Sequence, residues 1–145
     1  SAATSYKYCL LIRKPFPEGE PAIATSGDYS YRYAVAVNKR FEAGEAEIAK
    51  GDANDAVNYA RTFLNGRFPE AEPNIAKSGA TSYKYAMQCL SGKPFPAGEE
   101  ALARGEPTYR GGVSYGYATL YAKNVLHDKD PDTWAERYLK EHGLA

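Results

Sequence analysis

Glutamate recurs at one regular position along this chain. Successive copies are 25, 27 and 27 residues apart, at Glu20, Glu45, Glu72 and Glu99. A row of carboxylates could hold a metal ion or a cationic ligand. Each glutamate, however, lies just after a phenylalanine where a helix is expected to begin, and an acidic side chain there faces free N–H groups and the positive end of the helix dipole. We therefore predict that the four glutamates are structural residues.

Basic residues alternate with tyrosines in three similar triplets. The triplets span residues 6–8, 31–33 and 83–85, with Lys7, Arg32 and Lys84 at their centres. Bases interleaved with aromatic rings are typical of surfaces that bind single-stranded nucleic acid. In a helix, however, residues two apart point about 200° from each other, so the two rings cannot form one platform. The 18 basic residues also balance 18 acidic ones, which argues against general neutralisation of phosphates. Nucleic-acid binding is therefore only an alternative.

The remaining reactive side chains match no catalytic or metal-binding pattern. His127 and His142 have neither cysteine partners nor the spacing of a zinc site. Cys9 and Cys89 are too few for a disulfide framework and are predicted to be reduced packing residues. The glycines that follow Arg110 match no phosphate-binding loop. We predict a protein without enzymatic activity, metal or cofactor.

The elements that position these residues form a tandem repeat. Its anchors are phenylalanine (Phe16, Phe41, Phe68, Phe95), an aliphatic residue (Ile23, Ile48, Ile75, Leu102) and tyrosine (Tyr8, Tyr33, Tyr59, Tyr85), each recurring every 25 to 27 residues. A fixed period of this size predicts an array of similar structural units. We divide the chain into repeats 1–24, 25–49, 50–76, 77–103 and 104–130, followed by a cap at 131–145.

Each repeat is predicted to be a hairpin of two short helices. The first helix begins after Phe-Pro and ends near the Ser-Gly pairs at 26–27 and 78–79, since glycine is preferred just past a helix end. The second helix carries the tyrosine and an apolar stripe at offsets 1, 4 and 5 from it. A second apolar stripe, at offsets −2 and +2, contains Tyr6 with Leu10, Tyr31 with Val35, and Tyr83 with Met87. Helices apolar on two sides are expected to be covered on two sides by neighbouring repeats.

The last repeat and the two chain ends depart from the pattern. A glycine-rich insertion separates Leu102 from the next tyrosines, and we prefer Tyr121 over Tyr117 as the anchor because this places Leu126 correctly. A single C-terminal helix is predicted from Asp130 to Gly143, covering the last repeat. At the N-terminus Tyr6, Leu10 and Leu11 would face solvent, so we expect either a longer array or self-association through the N-terminal helix.

The phrase "GRFPEAEPNIAKSGATSYKYA", with "YAKNVL" at 121–126, resembles tandem repeats of uncharacterised proteins from phages and environmental sequences. The similarity covers roughly residues 1–126, and residues 41–60 depart most from it. In length and in its organisation as a short helical hairpin, the repeat is also similar to Sel1-like and tetratricopeptide repeats, although their signature residues are absent. The resemblance implies an α-helical array and carries no catalytic residues.

These observations predict an all-α fold of helical hairpins stacked as an α-solenoid with a C-terminal capping helix. The function predicted is a non-catalytic scaffold that binds protein or peptide, because arrays expose variable residues while packing residues recur. The candidate contact residues are Lys7, Arg32, Asn58, Lys84, Tyr109 and Arg110, and the predicted structural residues are the four glutamates with Tyr8, Tyr33, Tyr59, Tyr85 and Tyr121. The alternatives are a nucleic-acid or small-ligand module, with a pocket around Tyr109 and Tyr115, and a purely structural self-assembly module. No stretch could span a membrane and no signal peptide is evident, so a cytoplasmic location is expected.

Overall fold

The computed structural model describes residues 1–145 and is predominantly helical. Ten α-helices and short helical turns contain 66% of the residues, and the only sheet has two strands. The prediction of a mainly α-helical protein is therefore confirmed. None of the helices is long and apolar enough to cross a bilayer. The chain divides into two compact units, Ser1–Asn74 and Ile75–Ala145, which we call the first and second unit.

The first unit alternates longer and shorter helices. The longer ones are α1 (Ala2–Ile12), α3 (Gly27–Val37) and α5 (Ala53–Tyr59), the last continued by a π-helical turn at Ala60–Leu64. The shorter ones are α2 (Glu20–Ile23), α4 (Glu45–Lys50) and α6 (Glu72–Ile75), and the boundary between the units falls within α6. Helix α3 packs against α1 on one side and α5 on the other.

The second unit repeats this alternation and adds a hairpin of strands. It contains α7 (Gly79–Gln88), α8 (Glu99–Arg104), β1 (Glu106–Pro107), β2 (Val113–Ser114), α9 (Gly116–Asn124) and α10 (Trp134–Glu141). The strands pair antiparallel, with Glu106 opposite Ser114. Helix α7 packs against α8 and α9, and α8 packs against α10.

A 3₁₀ turn precedes each short helix of the repeats and also α10. These turns lie at Pro17–Gly19, Glu42–Gly44, Pro69–Ala71, Pro96–Gly98 and Pro131–Thr133. Proline suits the opening position because its missing N–H has no partner there. The repeat glutamate is then the first residue of the α-helix, as at Glu20 and Glu99.

The first helices end three residues before the Ser-Gly pairs, near them as predicted, but the pairs begin the second helix, so the predicted role of glycine as the residue past the first helix is wrong. Ser26 is the N-cap of α3, and its hydroxyl accepts a hydrogen bond from the amide of Tyr29 at 3.2 Å. Gly27 is required by close packing, because a Cβ atom there would lie 2.5 Å from the carbonyl oxygen of Glu47 in α4.

The repeat tyrosines and aliphatic residues form the core. Tyr33, Tyr59, Tyr85 and Tyr121 are at most 1% exposed, as are Ile23, Ile48, Ile75 and Leu102. Tyr121, rather than Tyr117, therefore occupies the repeat position in α9. Tyr8 is the exception, since 48% of it is exposed.

The second apolar stripe of the long helices is covered only in part. Leu10, Val35 and Met87, which belong to the predicted second stripe, are 47%, 52% and 39% exposed. Their positions lie about 200° around the helix from the buried tyrosine. The tyrosines of the same stripe are half-buried, so the expected covering on two sides holds in part for them and fails for the aliphatic residues.

The C-terminal segment copies the first helix of a repeat instead of forming one continuous helix. Asp130 has φ −133° and ψ 71°, close to the −121° and 81° of Phe95, and each is followed by a proline-led 3₁₀ turn. Trp134 then packs on Tyr121 with 5.6 Å between ring centroids. The pattern was missed because aspartate stands where the other copies have phenylalanine.

Candidate binding surface

In three of the hairpins a buried tyrosine forms a hydrogen-bonded triad. The hydroxyl of Tyr33 donates to Oε2 of Glu20 at 2.5 Å and accepts from the backbone N–H of Phe16 at 3.1 Å. The same triad joins Tyr59 to Glu45 and Phe41 (2.6 and 3.0 Å), and Tyr121 to Glu99 and Phe95 (2.6 and 2.9 Å). Three of the four repeat glutamates therefore accept a hydrogen bond from tyrosine, where the sequence predicted acceptance from helix N–H groups.

The environment of the triads keeps the tyrosines neutral. Burial, followed by the hydrogen bond to Glu20, raises the pKa of Tyr33 to about 12, and the same causes raise the pKa of Tyr59 and Tyr121. Burial would raise the pKa of Glu45, but hydrogen bonds from Arg40 and Tyr59 outweigh it and leave that pKa below its ordinary value. A neutral phenol beside an ionised carboxylate is a stable structural pair at physiological pH.

The rings of three repeat tyrosines, two of which belong to triads, contact the phenylalanine of the next turn. Ring centroids lie 4.9 Å apart for Tyr33 and Phe41, 5.7 Å for Tyr59 and Phe68, and 5.0 Å for Tyr85 and Phe95. The hydroxyl contact to one turn and the ring contact to the next link successive hairpins. The sequence does carry a signal for the hydroxyl contact, because glutamate and tyrosine are 13 or 14 residues apart in the first three copies.

Two arginines bind repeat glutamates at the helix starts, and one of these glutamates, Glu45, belongs to a triad. Arg40 binds Glu45 through two hydrogen bonds of 2.7 and 3.1 Å, and Arg67 binds Glu72 through two of 3.0 and 2.8 Å. Both arginines immediately precede the repeat phenylalanine. Our sequence reasoning overlooked them because the other copies have proline at that position.

Serine and glycine pair at a second recurring contact. The hydroxyl of Ser30 donates to the carbonyl oxygen of Ile23 at 3.0 Å, and a Cβ atom added to Gly44 would collide with this serine. Ser82 and Gly98 repeat the arrangement in the second unit. The register-equivalent residues in the intervening copy are Ala56 and Ala71, both fully buried.

The exposed side of the long helices carries a base and an apolar residue three positions apart. These pairs are Lys7 with Leu10 in α1, Arg32 with Val35 in α3, and Lys84 with Met87 in α7. Residues at i and i+3 share one face of a helix. In α5 the pattern is Asn58 with Arg61, where Asn58 is half-buried.

Arg32 is held in place on this surface by its own helix. Its Nε lies 3.0 Å from Oδ1 of Asp28, and its guanidinium is 5.6 Å from the centroid of the Tyr29 ring. Tyr29 in turn packs on Tyr6 of α1, with 5.5 Å between ring centroids. The base of α3 is therefore presented in a defined orientation beside α1.

Tyr109 and Arg110 lie at the tip of the hairpin formed by β1 and β2. Both side chains are exposed, and Tyr109 is fully so. Tyr109 therefore does not form a wall of the ligand pocket that the small-ligand alternative placed around it and Tyr115. The base of the hairpin is anchored, because Oε1 of Glu106 accepts hydrogen bonds from the amide of Ala80 at 2.9 Å and the hydroxyl of Ser78 at 3.3 Å.

Open grooves lie where long helices start beside short ones. A groove of about 540 Å³ in the second unit is bordered by Lys77, Glu100, Arg104 and Glu106. One of about 370 Å³ in the first unit is bordered by Asp28, Glu47, Lys50, Asp52 and Asp55. Burial, followed by repulsion from Asp52 and Asp28, raises the pKa of Asp55.

The structure contains no group of three or more histidine, cysteine or acidic side chains arranged to hold a metal ion. His142 stacks on Tyr138 with 3.9 Å between ring centroids. Cys9 and Cys89 are free and buried, and the thiol of Cys9 donates to the carbonyl oxygen of Lys14. These side chains are accounted for by local packing.

No protein-family model matches the chain, and no curated protein or solved structure matches it.

Proposed function

We propose that this protein is a non-catalytic helical-repeat scaffold that binds a protein or peptide through the exposed side of its long helices. The repeats would stack as an α-solenoid, with α10 as the cap, in a cytoplasmic protein. The recurrence of the tyrosine triad and of the Ser-Gly contact supports this arrangement. The resemblance to tandem repeats in phage and environmental proteins points in the same direction.

One observation carries the proposal of binding. Leu10, Val35 and Met87 are large apolar residues left in solvent at the same register position of three helices, each beside a base. Single exposed apolar residues are common on protein surfaces, but a recurring set marks an interaction surface. Lys7, Arg32 and Asn58 are the polar contact residues proposed on the first unit, and Lys84 is the one proposed on α7 of the second unit. Tyr109 and Arg110 supply a separate projecting contact in the second unit.

Affinity capture from cell lysates tests the proposal. We expect Arg32→Glu to deplete bound partners and Arg110→Glu to deplete a subset of them. Arg104→Glu is a matched control, because Arg104 also forms an exposed i,i+4 ion pair, with Glu100, but lies on a short helix. Partners retained by both test variants, or lost equally with the control, would contradict the proposed surface.

Self-association is a second candidate function, favoured by the exposed face of α1. Leu11 is 80% exposed, and Tyr8 is 48% exposed. A second copy covering these residues would make the protein an assembly module. We expect sedimentation velocity to show a concentration-dependent dimer that Leu11→Lys abolishes. A monomer at all concentrations would exclude this candidate while leaving the scaffold proposal intact.

A further inference from the structure

We propose that α1 and α3 of the first unit bind an acidic amphipathic helix of a partner protein. This inference rests on the proposed scaffold function and specifies the chemistry of its ligand. Apolar side chains of the partner helix would contact Leu10 and Val35, and its carboxylates would contact Lys7 and Arg32.

The apolar part of this surface is aliphatic and exposed. Leu10 is 47%, Leu11 80% and Val35 52% exposed, and they lie on two helices that pack side by side. Packed helix axes are about 8–10 Å apart. Residues i and i+7 of a helix are separated by about 10.5 Å along its axis. One helix crossing α1 and α3 can therefore place apolar residues one heptad apart on Leu10 and Val35, in the manner of helix-in-groove recognition.

The charge on these two helices is predominantly positive. Helix α1 contains no acidic residue and is followed by Arg13 and Lys14. The only acidic residue of α3 is Asp28, which is paired with Arg32, and Lys39 follows the end of α3.

The carboxylates of the same unit lie mainly on the short helices and the turns before them. They include Glu18, Glu20, Glu42, Glu45 and Glu47. Asp52 and Asp55 lie beside the start of α3. The basic part of the surface is therefore Lys7 together with the C-terminal ends of α1 and α3, and it favours an acidic partner.

The exposed side chains of α1 and α3 favour a protein helix over a nucleic acid as the ligand. Non-specific binding of single strands depends on aromatic platforms for the bases. Here Tyr33 is buried, and Tyr6 and Tyr29 pack on each other. Tyr8 is half exposed, but its ring packs on Phe16. The most exposed apolar residues of the two helices are aliphatic, and they gain from burial against other aliphatic side chains.

Three synthetic helical peptides with a fluorescent label test this inference by anisotropy against the full chain. The first has a leucine stripe flanked by glutamates, the second replaces each glutamate by lysine, and the third keeps the glutamates but replaces leucine by serine. We expect the first to bind and the other two to bind at least about tenfold more weakly, which corresponds to about 1.4 kcal/mol. A labelled oligothymidylate tests the nucleic-acid alternative.

Variants locate the binding to α1 and α3. Leu10→Ser and Arg32→Glu should each weaken binding of the first peptide about tenfold or more, and Arg104→Glu should leave its binding unchanged. Circular dichroism checks that each variant is folded. Equal binding of the lysine peptide, no binding of the first peptide, or displacement of it by the oligothymidylate would overturn the inference. If lysate capture still depends on Arg32 after such a result, the scaffold function stands and only the acidic-helix partner is rejected.

Discussion

The hydroxyl of Tyr59 lies 2.6 Å from Oε2 of Glu45, and both residues are buried. Arg40 binds the same carboxylate, and the N–H of Phe41 donates to the tyrosine oxygen at 3.0 Å. All the polar groups of this contact are paired, and no buried side-chain nitrogen or oxygen in the structure lacks a hydrogen-bond partner. The contact joins α4 and α5 by hydrogen bonds rather than by apolar packing alone.

Replacing Tyr59 by phenylalanine should destabilise the protein by about 1–3 kcal/mol, because a buried carboxylate and a backbone N–H each lose a partner. The shift of the urea unfolding midpoint measures this loss. Tyr8→Phe is the matched control, since the Tyr8 hydroxyl forms no hydrogen bond within the chain and its ring remains on Phe16. Equal midpoints for the two variants would show that the triad contributes no net stability.

Gly44→Ala should destabilise the protein by about 1–3 kcal/mol, because the added methyl group overpacks the contact with Ser30. Gly66→Ala provides the control, since a Cβ atom on Gly66 meets no atom within 4 Å. Its effect should stay within about 0.5 kcal/mol. Thermal unfolding of the two variants under the same conditions compares them. A tolerated Gly44→Ala would mean that the turn moves away from α3 without cost.

Asp55→Asn should stabilise the protein at neutral pH. Burial and the neighbouring carboxylates of Asp52 and Asp28 raise the pKa of Asp55 above its unfolded value. For such a group the protonated form favours the folded state, so its contribution is present below the unfolded pKa and is lost as the pH rises through the folded pKa.

Melting temperatures across the acid range test this sign. The advantage of Asp55→Asn should be largest near pH 7 and shrink below about pH 4, where aspartate becomes protonated. Glu70→Gln, an exposed carboxylate change outside the cluster, controls for net charge. A constant difference between variant and wild type at every pH would refute the electrostatic explanation.

Glu106→Ala should release the β-hairpin from α7. The carboxylate caps the amide of Ala80, and loss of a helix N-cap costs about 0.5–2 kcal/mol. Hydrogen exchange should accelerate at Ala80 and in β1, with α3 unaffected because Ser26 caps that helix. Unchanged exchange at Ala80 would show that another group caps α7.

The sequence predicted the parts of the fold that depend on periodic apolar residues. The spacing of Tyr33, Tyr59, Tyr85 and Tyr121 identified the buried side of the long helices, because a repeated contact requires a repeated side chain. It did not identify the hydrogen-bond partners of these tyrosines. A glutamate at a helix start has several possible donors, and only the packing of α4 against α5 selects Tyr59 for Glu45.

The candidate surface was predicted only in part. Lys7 and Arg32 were recognised as exposed bases, whereas Lys84 is half-buried. Leu10, Val35 and Met87 were assigned to packing because apolar residues usually indicate a core. Apolar type alone does not distinguish a core position from a binding position. The hairpin was also missed, since two-residue strands among glycines leave no alternating pattern to detect.

The Ser-Gly contact has a consequence for how the gene of such a protein can change. Ser30 and Gly44 fit each other, while the following copy has alanine at both positions, Ala56 and Ala71. A recombination breakpoint between the two members of a pair would combine a helix serine with a turn alanine, or a helix alanine with a turn glycine. The first combination would bring the serine side chain too close to the alanine methyl group. Exchange between copies should therefore be tolerated when the breakpoint falls within residues 45–55, which lie between two pairs. The segment that can be exchanged then runs from the second helix of one hairpin to the first turn of the next, and it does not coincide with one hairpin.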